Sequence, residues 1–269
     1  MAIKNILLYS IFIIKSAHIT EDKYMFEQIE KNERIFSVNN YDGISDDNYK
    51  VVKGSIPIML SAPHSVNHFR GNQKKWADLY TGGIALYLQQ TTGCHLIYNA
   101  CYTEKDPNFD APECNDYQVL LKKYLQKMTE EHCPIYVLLD LHGSAATREY
   151  AVELGTAPNP KLSEIEKNTD LTSLHGHKFV EDIVVRMFNE NFSSLNTQKK
   201  LVWKNKLFTA GGANTVTKNI SDNTRTDCLQ LEINGEYRNP NNKEQFNALI
   251  VSLTQIIHKL AEIDWEDIR

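Results

Sequence analysis

The chain lacks the marks of a disulfide scaffold, a nucleic-acid binder or a membrane-spanning protein. Its five cysteines, Cys94, Cys101, Cys114, Cys133 and Cys228, are odd in number, and no two stand as CxxC. That argues against a disulfide framework and against a structural zinc–thiolate site, and fits free thiols in a reducing compartment. Positive charge is not in excess: 29 Lys and Arg stand against 34 Asp and Glu, a formal net charge of -5. A nucleic-acid surface needs a basic stripe and a peripheral membrane site needs a polybasic cluster, so neither partner is expected. The apolar run from Ile6 to Ile14 is too short to cross a bilayer, which takes about 20 residues as a helix. There is no internal repeat and no low-complexity tract. The paired glycines of "TAGGANT" (Thr209 to Thr215) lack phosphate-loop spacing, which removes a nucleotide site.

The N-terminus carries two readings. Lys4 before the apolar run resembles the n- and h-regions of a secretory signal. Lys15, however, would hold the −3 position of a cut after Ala17, and the same β-branched and aromatic run also suits a strand. The expectation is an ordered element and a cytoplasmic protein. The alternative is secretion, with residues 1–17 as the signal.

What is present is an ordinary globular composition, 42% hydrophobic and 23% charged over 269 residues. One core can serve a chain of this length, so a single domain over 1–269 is expected. Strands and helices alternate, the pattern of an α/β fold with a largely parallel sheet between helices. "SIPIMLSAP", "CHLIYNACY", "PIYVLLDLHG", "YAVELGT" and "CLQLEIN" read as strands, and "KLVWKNKLF" as a strand or two short ones. Helices are expected over Leu79 to Gly93, Glu113 to His132, "HKFVEDIVVRMFNENF" and the clearly periodic "NKEQFNALIVSLTQIIHKLAEI".

Polar residues collect where these strands end. Side chains alternate along a strand, so Asp140 and His142 in "VLLDLHG" face the same side. His64 follows Pro63 directly in "SAPHSVNHFRG", and His68 lies in the loop beyond it. Asp78 stands just before a periodic apolar run, where it serves equally as a helix N-cap or as a carboxylate ligand. Ligands gather outside the carboxyl ends of strands in open α/β sheets. His64, Asp78 and His142 together make the two-histidine, one-carboxylate set of a catalytic zinc site with a position left open. Asp140 would support the site from behind His142. Glu232 in "LQLEING" shares a face with Gln230 inside an apolar strand. It is either a general base or half of an ion pair with Arg225 or Arg238.

The ordered set "SAPHS", "AD..TGGIA", "DPN", "LDLHG", "TAGG" and "LQLEIN..YR" resembles the N-formylglutamate amidohydrolase family, a relative in fold of the zinc carboxypeptidases and aspartoacylases. The likeness runs from about Ile56 to Arg238. It implies a mixed, largely parallel central sheet flanked by helices on both faces. It also implies one Zn2+ per chain and hydrolysis of the amide of a small N-acyl amino acid. On this resemblance His64, Asp78 and His142 are the metal ligands and Glu232 is the general base. The family often has glycine after "PHS", where this chain has Val66. A substrate with a carboxylate calls for a cation. Arg148 is placed first for that role, with Arg70 and Arg225 as the other candidates. The alternatives are a zinc carboxypeptidase acting on peptides or cell-wall fragments, and a non-catalytic binding protein of the same fold.

Overall fold

A computed structural model describes residues 23–43, 48–158 and 178–268. The reading of the N-terminal apolar run falls outside these residues. Among the described residues, no helix is long and apolar enough to cross a membrane.

The centre of the molecule is a seven-stranded mixed sheet. In chain order its strands are β1 (Tyr49–Val52), β2 (Ile58–Ala62), β5 (His95–Asn99), β6 (Val137–Ser144), β7 (Val152–Gly155), β8 (Val202–Lys204) and β9 (Asp227–Asn234). Spatially they lie β1-β5-β2-β6-β9-β7-β8. Neighbours from β5 to β9 are parallel, while β1 and β7 join antiparallel. A short hairpin, β3 (His68–Arg70) and β4 (Gln73–Lys75), stands apart. It turns through Gly71 at φ +57, a backbone region that disfavours residues with a Cβ.

Among the described residues six helices cover the sheet: α1 (23–37), α2 (Thr81–Thr92), α3 (Asp116–Glu130), α4 (Lys178–Phe192), α5 (Val216–Asn223) and α6 (Lys243–Ala261). Period-two alternation in the central strands divides the core in two. Leu139, Leu141, Leu229, Leu231 and Ile233 face the larger cluster, which α1, α2, α4 and α6 supply with residues such as Ile29, Ile84, Phe188 and Phe246. Leu138 and Cys228 face the smaller cluster, built on Tyr117, Leu121, Val216 and Ile220 from α3 and α5. The result is helices on both faces of a mixed sheet, as the sequence led us to expect.

Strands β6 and β9 are buried along their length and pair in register from Val137↔Asp227 to Ser144↔Asn234. Towards their carboxyl ends the face carrying Leu138 and Cys228 turns polar. There Asp140, His142, Ser144, Gln230 and Glu232 replace apolar residues, yet each is at least nine-tenths buried. Buried polar groups need partners, so this is where the fold must build a site.

Two expected elements differ in detail, and one element is new. The segment after His64, read as loop, contains the β3–β4 hairpin. Helix α2 starts at Thr81 with Tyr80 as its N-cap, so Asp78 does not cap it. Helix α5 had not been expected, because VTKNISDN is short and mostly polar.

Candidate metal centre

His64 follows β2, His142 lies on β6 and Asp78 enters α2, and the fold brings all three together. The β3–β4 hairpin closes the interval between His64 and Asp78, and the Asp78 N–H donates to the His64 carbonyl at 2.8 Å. His64 Nδ1 lies 3.1 Å from His142 Nδ1, and Asp78 Oδ2 lies 3.5 Å from the first and 3.6 Å from the second. Two ligands about 2.0–2.1 Å from a tetrahedral ion stand about 3.3–3.4 Å apart. The three separations therefore match a metal's ligand shell.

The far side of each ring supports this. His64 Nε2 lies 2.9 Å from Asp106 Oδ1, and His142 Nε2 lies 3.0 Å from Asp140 Oδ2 and 2.8 Å from Asn108 Nδ2. A carboxylate beside each Nε2 favours a proton there, which leaves the Nδ1 lone pair to the centre, the arrangement metal-ligating histidines use. Two lone pairs 3.1 Å apart repel unless a cation or proton lies between them, so the donor set fits a divalent metal.

The carboxylates are themselves held. Asp140 Oδ1 accepts from Ser61 Oγ at 2.6 Å. Asp106, fully buried, also accepts from the Asn108 N–H at 2.8 Å and from Arg70 Nε at 2.6 Å. Asp78 Oδ2 accepts from the Gly143 N–H at 2.9 Å. Burial alone would raise the Asp78 carboxyl, but the two imidazoles beside it outweigh that effect and hold the group well below the usual carboxylate range. Asp106 behaves likewise: its contacts with His64 and His68 overcome desolvation and keep it ionised.

Glu232 stands directly opposite His142 in the parallel register. Burial pushes its carboxyl up to about 7, although the nearby His142 opposes the rise. Gln230 Nε2 donates to Glu232 Oε1 at 2.9 Å. Among the described residues Glu232 makes no ion pair with Arg225 or Arg238. Arg238 donates instead to the carbonyls of Ile233 and Ser144.

The three candidate arginines separate clearly. Arg70 lines a cleft of about 390 Å³ together with His64, Asp78 and Gly143. Arg148 is exposed outside that lining and lies over the Phe208 ring at 5.5 Å. Arg225 precedes β9, at the end of the sheet opposite Glu232, roughly 20 Å away along the strand. That distance removes Arg225 from the site, and the cleft favours Arg70 over Arg148.

The "DPN" motif carries part of the family resemblance, yet no role was expected of Asp106 or Asn108. The signal was there: a proline-fixed turn between two short polar side chains is a common way to aim them. Asp106 proves to be the group that joins His64 to Arg70.

No protein-family model matches the chain, and no curated protein matches it in sequence. Solved structures do. An N-formylglutamate amidohydrolase from Ralstonia eutropha JMP134 aligns with a TM-score of 0.55 at 12% identity, over 80% of this chain and 97% of that one. The Atu2144 gene product of Agrobacterium tumefaciens aligns with a TM-score of 0.49 at 11% identity, over 80% and 93% of the two chains. At such identity the likeness is one of fold: the chain has the architecture of the N-formylglutamate amidohydrolase structure.

Proposed function

We propose that the protein is a zinc-dependent amidohydrolase that cleaves the amide of a small N-acyl amino acid, of the N-formylglutamate kind. The carrying observation is the set of three mutually spaced donors, His64 Nδ1, His142 Nδ1 and Asp78 Oδ2, with a carboxylate behind each histidine. Zinc held there would supply Lewis acidity, polarising the scissile carbonyl and making a water more acidic. His64, Asp78 and His142 are its ligands in this reading, one ion per chain.

Glu232 does the proton work. A base whose pKa lies near the working pH is the most effective kind, and burial tunes Glu232 to about 7. Its carboxylate takes a proton from the attacking water as the new C–O bond forms. It returns that proton to the amide nitrogen as the C–N bond breaks, so the products are a carboxylic acid and an amine.

Arg70 would hold the substrate carboxylate. Its Nε is fixed by Asp106 at 2.6 Å, and the terminal nitrogens take no hydrogen bond among the described residues. A guanidinium anchored by one edge and open at the other is ready for bidentate pairing. The cleft volume, about 390 Å³, sits near the low end of the range for small-molecule sites. This favours a compact substrate over the longer groove a peptide would need. The retained ligands and base argue against a non-catalytic relative.

The test is metal content and hydrolysis together. Purified protein should carry about one zinc per chain and release amine from N-formyl or N-acetyl amino acids. Glu232→Gln should keep the zinc and lose turnover. Protein that stays metal-free when zinc is supplied, or a Glu232→Gln variant that turns over normally, would refute the mechanism.

A further inference from the structure

Beneath the Asp78–His142 pair lies a cation with no part in that proton chemistry. Arg238 follows β9 and is only 8% exposed. Its Nε donates to the Ile233 carbonyl at 3.0 Å, its Nη2 to the Ser144 carbonyl at 3.1 Å, and its Nη1 to the Leu79 carbonyl. These carbonyls belong to three separate segments. Ile233 adjoins Glu232, Ser144 stands two residues after His142, and Leu79 adjoins Asp78.

The guanidinium lies flat against Gly143. A Cβ at that position would come within 2.5 Å of both Cζ and Nη2. Glycine is therefore needed for the close approach, and the same Gly143 supplies the N–H that Asp78 Oδ2 accepts.

The other side of the Asp78 segment is held by a buried carboxylate. Glu33 on α1 accepts from the Tyr80 N–H at 2.7 Å, the Gly83 N–H at 2.9 Å and the Tyr41 hydroxyl at 2.9 Å. It satisfies N–H groups at the start of α2, where Tyr80 takes the left-handed conformation and no cap side chain serves the helix. Residues 78–83 thus run between Arg238 and Glu33. Only arginine offers several donors in one rigid plane, which lets a single side chain tie three carbonyls at once.

We propose that Arg238 is a positioning residue of the metal centre. By joining the backbone segments that carry Asp78, His142 and Glu232, it sets the spacing of the metal donors, and Gly143 provides the room it needs. This inference rests on the zinc reading above. A brace that served stability alone would lower the unfolding temperature without changing metal affinity beyond that loss. A positioning brace changes affinity in the folded protein.

The experiment measures zinc affinity by competition with a chromophoric chelator, and the thermal midpoint of the metal-free protein, for wild type and four variants. Arg238→Met should weaken zinc binding by about a hundredfold, and Arg238→Lys should recover part of that loss. Gly143→Ala keeps the charge but displaces the guanidinium, and should weaken binding about tenfold. Trp265→Phe, in the core far from the cleft, is the control: it should lower the midpoint and leave zinc affinity unchanged. If Arg238→Met fails to fold, Gly143→Ala and Arg238→Lys carry the test. Wild-type affinity in both of these would overturn the inference, as would an equal loss in Trp265→Phe. Failure of the wild type itself to bind zinc would instead overturn the zinc reading, and this inference with it.

Discussion

The two ends of the same strands make the most instructive contrast in this molecule. At the amino ends of β6 and β9 lies a cleft of about 660 Å³, bordered by Lys122, Tyr136, Arg225 and Trp265. At the carboxyl ends lies the smaller cleft, about 390 Å³, bordered by His64, Arg70, Asp78 and Gly143. The larger cleft brings together no set of metal donors among the described residues, whereas the smaller one holds donors within 4.8 Å of one another. Room is not what identifies a reactive site. The difference lies in convergence: parallel strands aim their carboxyl ends, and the loops that follow them, at one place.

If that contrast is right, the largest effect belongs to His142→Ala. It should weaken zinc binding by more than about a hundredfold and abolish hydrolysis, as elemental analysis and amine release would show. A fully metallated variant would remove His142 from the ligand set. Next comes Asp106→Asn. It leaves every ligand in place but weakens the acceptor behind His64, so zinc affinity should fall about ten- to a hundredfold by chelator competition. An unchanged affinity would mean that Asp106 does not act on the metal through His64.

The arginines test the contrast directly. Arg70→Ala should raise KM for an N-acyl amino acid about tenfold or more with a smaller change in kcat, because it removes ground-state binding of the carboxylate. Arg225→Ala, at the opposite end, should change neither constant. The reverse result would move substrate binding to the other cleft.

The smallest effect concerns α1. Burial raises the Glu33 carboxyl to about 7, with the hydrogen bonds from Tyr80, Tyr41 and Gly83 only partly offsetting it. Its folded-state value thus lies above the unfolded one. The associated stability is complete below pH 4.5 and is lost as pH rises through about 7. Glu33→Gln should flatten that decline by about 3 kcal/mol between pH 4.5 and 8, measured by urea denaturation at a series of pH values. A variant with the wild-type pH slope would show that Glu33 does not ionise across this interval.

Much of the fold was legible in the sequence. The apolar stripe of Phe246, Leu249, Ile250, Leu253, Ile256, Ile257 and Leu260 marks α6, and all of these residues are buried. Strands β2 and β6 were legible because central parallel strands are apolar almost throughout, and β9 because Leu229, Leu231 and Ile233 alternate with polar residues. The elements that escaped were those whose residues carry little periodic signal. Val216–Asn223 is mostly polar, and the β3–β4 hairpin has three residues a side with a charged pattern. Helix α1 was also unanticipated, since its buried face mixes Met25, Ile29 and Phe36 with Asn32 and Glu33.

The site divides in the same way. His64, Asp78, His142 and Glu232 were legible because each is a titratable residue at the end or start of an apolar element, where burial is expensive without a purpose. Arg238 was visible only as a partner for Glu232, and the structure gives it three carbonyls instead.

By itself, the sequence determined the layered α/β architecture and the residue types of the candidate centre. Periodicity and strand ends are local properties, written in neighbouring residues. Only the tertiary structure decided that Arg70 and Arg238 line the cleft while Arg148 and Arg225 do not, that Asp106 serves both His64 and Arg70, and that Glu33 and Arg238 enclose the Asp78 segment. Those relations join residues far apart in the chain, and their energies depend on distance and burial, which exist only once the sheet has brought its carboxyl ends together.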